Sequence, residues 1–336
     1  MRKTVAFARD RANVFFHILT QCNLKCHHCY INPKQHGSQH LSFRRIESWL
    51  KALIRRSPDA NLVFLGGEPT LHPDLAQAAK AARAMGYASI TIDTNGYLFN
   101  DILDRVTTRE VDFFSFSLDG PTAAINDAIR GTGCFQNCTA GLQRAKAKGF
   151  GISLIYTVSN RNLADLEQMV PLLADWGVDH FFIQVIGLRG QSAVSGHEEP
   201  PLQLTRRQWQ DVVPGVAEAV AASGIRVAYP KVYLDLDETF ECAGKVADNY
   251  FIFPNGRVYR CPVCEDYPLH GFEFSHDELV ETKSINERDL FELEIAEGCV
   301  MNKLIQPANI AYDGQGRPVY RIACCLLKHQ IIPDRR

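Results

Sequence analysis

From Val14 to Ile186 short apolar runs alternate with amphipathic stretches. The runs are VFFHILT (14–20), LVFL (62–65), ASITID (88–93), DFFSFSL (112–118), ISLIYTV (152–158) and HFFIQVI (180–186). Rich in β-branched and aromatic residues and apolar at adjacent positions, they predict strands buried on both faces, as in a parallel sheet. Between them lie RRIESWLKALIRR, LAQAAKAARAMG, GLQRAKAKG and LADLEQMVPLLADWG, read as helices, three of which close on a glycine suited to a helix C-terminus. Six βα units predict an α/β fold with a parallel sheet or partial barrel, a doubly wound open sheet being the structural alternative.

After Gly187 the rhythm breaks. RGQSAVSGHEEPPLQL (189–204) is polar and proline-containing and reads as a loop. A helix is expected next, with Thr205 as N-cap and a kink at Pro214. Beyond about residue 240 the chain turns rich in Cys, Pro and Asn, and a second domain is expected there. The organisation predicted is a lead-in (1–13), a partial-barrel core (14–190), a linker and helix (191–239) and a C-terminal domain (240–336).

Composition adds bounds. The 336 residues are 46% hydrophobic and 22% charged with a formal net charge of −2, an ordinary globular balance with no bulk attraction to nucleic acid or anionic membrane. Asp10 and Arg11 interrupt the N-terminus where a signal core would run, and no apolar stretch of about 18 residues occurs, so the expected compartment is the cytoplasm. Eleven cysteines in a reducing compartment are not expected to form disulfides.

Three of them, Cys22, Cys26 and Cys29, fall in one CxxxCxxC loop directly after the first predicted strand. A cubane iron–sulfur cluster normally takes four thiolates, so three leave one iron open to a reacting ligand. The competing reading is a zinc site completed by His27 or His28. Gly66-Gly67-Glu68-Pro69, Asp93-Thr94-Asn95-Gly96 and Ser117-Leu118-Asp119-Gly120 follow the next three strands. In parallel βα folds the C-terminal strand ends carry the ligand site, so all four signatures are predicted on one face.

CxxxCxxC after the first strand with GGEP after the second resembles the radical S-adenosylmethionine (SAM) superfamily over roughly residues 14–190. The resemblance implies a partial (β/α)6 TIM-type barrel. It also implies a [4Fe–4S] cluster on Cys22, Cys26 and Cys29 that binds SAM and cleaves it to a 5′-deoxyadenosyl radical. By the same resemblance Gly66, Gly67 and Glu68 hold the methionine amino group. SLDGPTAAINDAIRG (117–131) is similar to a segment of peptide and sulfatase maturases, which places Ser117 and Arg130 near the SAM carboxylate and includes Asp119 in the site. His28 stands where an aromatic residue often meets adenine, and Asn95, Thr157 and Gln184 are candidates for ribose or methionine contacts. An external electron donor of flavodoxin or ferredoxin type is implied as partner.

Past residue 240 stand Cys242, Cys261, Cys264, Cys299, Cys324 and Cys325. YFIFPNGRVYR (250–260) reads as a hairpin turning on Asn255-Gly256, which brings Cys261 back toward whatever Cys242 binds. The C…GxxxxC spacing resembles the opening of SPASM and twitch domains, implying a smaller α+β domain with an auxiliary [4Fe–4S] cluster on Cys242 and Cys261, completed from Cys264, Cys299, Cys324 and Cys325. A zinc ribbon on Cys261 and Cys264 is the alternative. Cys134 and Cys138 read as small buried hydrophobes.

The function expected is radical chemistry on a peptide side chain or on a small molecule in cofactor or natural-product biosynthesis. The first strand at Val14 leaves no room ahead of it for a peptide-recognition domain, which favours the small molecule. The spacing from Cys264 to Cys299 and the Asp334-Arg335-Arg336 end do not match the molybdopterin-pathway GTP cyclase. A non-enzymatic zinc-binding or electron-transfer protein is the reading from another class; it gives GGEP and SLDGP no purpose.

Overall fold

The computed structural model describes residues 4–195 and 201–333, so residues 196–200 of the expected loop, the start of the lead-in and the final Asp334-Arg335-Arg336 lie outside the described residues. Each predicted apolar run forms a strand: β1 Ala12–His17, β2 Asn61–Leu65, β3 Ser89–Thr94, β4 Phe113–Ser117, β5 Gly151–Val158 and β6 His180–Val185. The helix at Arg206–Ala222 opens on a Thr205–Gln208 capping box and runs on through Pro214, which gives up one backbone donor without ending it. It leads into a seventh strand, β7 Arg226–Pro230, followed by β8 Tyr233–Leu234. The tail adds β9 Asp248–Ile252, β10 Arg257–Tyr259, β11 Phe272–Ser275, β12 Glu278–Glu281, β13 Arg321–Ile322 and β14 Lys328–Ile331.

Among the described residues one sheet of twelve strands runs in the order β12-β11-β10-β9-β1-β2-β3-β4-β5-β6-β7-β14, and β8 with β13 forms a separate pair. From β9 through β1 to β7 every neighbour is parallel. The outer pairings are antiparallel. The sheet ends on β12 and β14 without closing, the architecture of a partial TIM-type barrel.

Period-2 alternation sends each strand's side chains to two different layers. Val14 and Phe16 pack outward with Ile46, Trp49, Leu50 and Leu53 of the helix Phe43–Arg56, whose apolar residues repeat at helical spacing. Phe15 points inward with Val63, Phe182 and Phe251. The tail continues this layering: β9 pairs with β1, and Trp49 stacks on Phe274 of β11 with ring centroids 4.2 Å apart. Among the described residues no helix is long and apolar enough to cross a membrane.

Candidate active site

Because β1 to β6 are parallel, their C-terminal ends lie on one face, and the loops leaving them converge on the cysteine loop. Gly67 N–H donates to Leu19 O at 3.2 Å and Glu68 N–H to Gln21 O at 2.9 Å, so the β2 loop lies flat against the strand's exit. A Cβ on Gly67 would overlap the carbonyl oxygens of Thr20 and Gln21, the local reason for glycine there. The β3 loop contributes Asn95, whose amide donates to Asn23 Oδ1 at 2.9 Å and reaches Cys22 Sγ at 3.7 Å. His27 N–H donates to Ile129 O at 3.0 Å, and Gln191 N–H to Cys29 O at 2.7 Å. Gly190, at φ +54°, approaches Cys29 so closely that a Cβ would strike the Cys29 and Tyr30 backbone.

The three thiols open on one cavity of about 330 Å³. His28, Gly66, Gly67, Asn95, Ser117, Arg130, Thr157 and Gln184 line it with them. Glu68 and Asp119 do not line it. Glu68 is fully buried beneath the loops: Oε1 accepts from Thr70 N–H (3.1 Å), Thr70 Oγ1 (2.6 Å) and Thr94 Oγ1 (2.8 Å), while Oε2 accepts from Asn95 N–H (2.8 Å). Burial raises its carboxyl, and those bonds draw it back. Glu68 therefore braces the β2 and β3 loops from behind the cavity wall.

Asp119 likewise works from behind. Its Oδ2 lies 2.6 Å from Arg130 Nε and 3.0 Å from His28 Nε2, and Oδ1 accepts from Thr157 N–H at 2.7 Å. Burial alone would raise its carboxyl, but Arg130 and then His28 outweigh it and hold it below the usual range. The buried carboxylate thus fixes two cavity-lining groups.

Cavity residues outside the sequence motifs include His17, Tyr30, Thr91, Ser115, Ser153, Arg189, Glu265 and Lys328. Asp93, part of the β3-end signature but given no role there, also lines it. His17 Nδ1 sits 3.0 Å from Ile252 O, which can only accept, so Nδ1 carries the proton and Nε2 accepts from Tyr30 OH at 2.6 Å. Arg189 lies over the Tyr30 ring at 4.7 Å, pairs with Glu265 at 2.9 Å and donates to Pro262 O. It therefore joins the cysteine loop to the segment between Cys261 and Cys264. No local motif announces these contacts, which span more than 70 residues.

In the tail, the hairpin forms with β9 antiparallel to β10 around Gly256 at φ +89°. Cys242, Cys261, Cys299, Cys324 and Cys325 line a second, small cavity of about 30 Å³, and Cys264 is buried and hydrogen-bonded to Cys261. Glu287, unmarked in the sequence, accepts from the backbone N–H of Arg260 (2.6 Å), Cys261 (3.0 Å) and Gly271 (3.0 Å) and so fixes the bend that presents Cys261. Cys242 and Cys324 share a thiol–thiol hydrogen bond, and that bond, with burial, raises the Cys242 thiol. Cys134 and Cys138 are buried, and neither lines the two cavities.

Both cysteine sets fit iron–sulfur chemistry by donor type: soft thiols converge on a space, with backbone N–H groups aimed at sulfur from Leu24, Ala243 and Asn302. Among the described residues no three His, Cys, Asp or Glu side chains are gathered as ligands of a single ion.

Residues 17–173 match the family model described as the radical SAM superfamily. Among curated proteins, the pre-heme d1 synthase of Dinoroseobacter shibae is 30% identical over 223 residues, covering 66% of this chain and 54% of that protein. The mycofactocin maturase MftC of Mycobacterium tuberculosis is 33% identical over 162 residues, 46% of this chain and 40% of the relative. The chain thus spans about half the length of the curated relatives it matches. Among solved structures, Streptococcus suis SuiB bound to its precursor peptide SuiA superposes with a TM-score of 0.58 at 15% identity, covering 88% of this chain and 65% of SuiB, a likeness of fold.

Proposed function

We propose that this chain, whose residues 17–173 are a radical SAM domain, is an enzyme that binds SAM in the large cavity and uses it to abstract hydrogen from a peptide or small-molecule substrate. The observation that carries the reading is convergence: three thiols of one loop and polar groups from four further strand ends line a single cavity. When bound, the [4Fe–4S] cluster supplies the electron that breaks a carbon–sulfur bond of SAM, giving methionine and a 5′-deoxyadenosyl radical. Cys22, Cys26 and Cys29 would hold it. Gly66 and Gly67 offer close backbone approach to the methionine amino end, and Glu68 keeps that backbone in place through Thr70, Thr94 and Asn95. Arg130, with Ser117, would meet the carboxylate, its guanidinium oriented by Asp119. His28, held by the same carboxylate, offers a ring face to adenine, while Asn95, Thr157 and Gln184 serve the ribose and methionine.

The segment 240–336 is read as an auxiliary SPASM- or twitch-like region whose cysteines hold a second cluster; five thiols on one small cavity support it. A flavodoxin- or ferredoxin-type donor would deliver the electron. Eleven unpaired cysteines support a reducing, cytoplasmic setting. The test is anaerobic reconstitution with iron and sulfide, followed by reductant and SAM. About eight irons and 5′-deoxyadenosine are expected; stoichiometric zinc without iron, or intact SAM, would reject the reading.

A further inference from the structure

The cavity wall is sorted by polarity. On one rung of the sheet Asp93, Ser115 and Ser153 stand side by side across β3, β4 and β5. On another, Phe251, Phe15 and Val63 adjoin across β9, β1 and β2, with Thr91 next on β3. Phe15 stacks on Phe251 with centroids 4.5 Å apart, and Phe7 extends this wall at 5.9 Å from Phe15 and 6.0 Å from Phe182. All of these residues line the cavity.

Two charged groups in it form no ion pair among the described residues, the Arg130 near Asp93 being paired with Asp119. Asp93 makes no hydrogen bond or ion pair among the described residues, and its Oδ1 is buried, as are the unpartnered hydroxyls of Thr91 and Ser153. Lys328 donates to Gln184 Oε1 at 2.8 Å and sits 4.2 Å above the Phe7 ring, but no carboxylate pairs with it among the described residues. Burial penalises both charges, drawing Asp93 up and Lys328 down to about 7 each. Unpaired groups of this kind are costly in a site that stays dry, and a ligand carrying the complementary groups removes the cost.

We infer that the cavity takes, beside SAM, a substrate with a flat apolar body against the phenylalanine wall, a carboxylate on Lys328 and an amine or hydroxyl donor on Asp93. Amino-acid-like aromatic molecules have this chemistry. The inference rests on the proposed function for the cavity being the reaction site, and it adds the substrate class.

The test uses three defined probes: L-phenylalanine, 3-phenylpropanoate without the amine, and 2-phenylethylamine without the carboxylate. Binding is followed by calorimetry on the cluster-loaded chain, anaerobically, with and without SAM. The amino acid should bind tightest and the amine weakest. Lys328→Met should weaken phenylalanine and phenylpropanoate at least tenfold, with its melting curve showing that it is folded. Asp93→Asn should bring phenylalanine down to the level of phenylpropanoate and leave phenylpropanoate unchanged, which also reports an intact cavity. Amine binding equal to acid binding, failure of all three probes, or unchanged affinities in both variants would overturn the assignment. So would an Asp93→Asn effect that vanishes when SAM is present, since the donor on Asp93 would then be the ammonium of SAM. Wild-type SAM cleavage, measured separately, tests the proposed function on its own, so that its failure is distinguished from a failure of probe binding.

Discussion

The two cysteine sets are built in opposite ways. Cys22, Cys26 and Cys29 lie within eight residues on one loop, clamped by backbone hydrogen bonds from loops of neighbouring strands and facing a large open cavity. The tail cysteines come from four separated segments, around 242, 261–264, 299 and 324–325, and all but Cys264 face a space about one-tenth as large, walled by Phe291, Met301 and Leu326. A local loop keeps its ligands together at little entropic cost, whereas closing segments across some 80 residues is expensive in the unfolded chain. If both sets hold clusters as proposed, the first is suited to reaction and the second to holding the tail in place, its bound group contributing to folding.

The comparison breaks first at the loop. Replacing Cys22, Cys26 and Cys29 by Ala should abolish 5′-deoxyadenosine formation and halve the iron content, while the melting temperature changes by only a few degrees. Residual SAM cleavage in this variant would remove the loop from the chemistry. Next in size, Cys242→Ala with Cys261→Ala should lose the other half of the iron and melt well below the loop variant, because the tail loses its long-range clasp. Equal melting temperatures for the two variants would show that the tail is held by its apolar packing alone.

The same contrast explains what could be read from the sequence. The loop triplet, GGEP and SLDG were legible because each is contiguous and follows an apolar run, so spacing and position carry the information. Which tail cysteines converge was not, since Cys299 is brought in by its backbone bond to Ile322 and Cys324 by the N–H of Ala243, contacts without a local pattern. The role of Glu68 was half legible. The acidic residue was placed correctly at the strand end, but its three donor residues belong to two loops, and only their fold shows that they consume both of its oxygens. Lys328 arrives on the edge strand β14, two strands over from β6 but 144 positions beyond Gln184 in the chain.

Glu68 gives an intermediate effect that sharpens the role of bracing. Glu68→Ala leaves buried donors of Thr70, Thr94 and Asn95 without acceptors and should cost about 1–3 kcal/mol of stability per group left unsatisfied. SAM affinity should fall with it, through displaced loops. Glu68→Gln keeps one acceptor oxygen and should lose less of both. A large loss of SAM affinity with stability unchanged would return Glu68 to direct contact with the ligand.

The smallest expected effect concerns Asp93 and is read from pH. Burial, and then the nearby Glu68, raise the Asp93 carboxyl from 3.8 to about 7, with Arg130 opposing. Between those values the folded chain keeps a proton that the unfolded chain has released, so the folded state binds more protons and stability falls as pH rises. Below the unfolded value the contribution is fully present, and it is lost as pH passes through about 7. Asn cannot titrate, so Asp93→Asn should flatten this part of the curve and be more stable than wild type at pH 8. Glu265 and Glu287, also raised by burial to about 8 and about 7, add slopes of the same sign. The informative quantity is therefore the difference between wild type and variant in urea unfolding at a series of pH values. A difference independent of pH from 4 to 8 would mean that Asp93 is ionised throughout and already has a partner, and the contrast between a cavity awaiting a donor and a closed tail site would lose its main support.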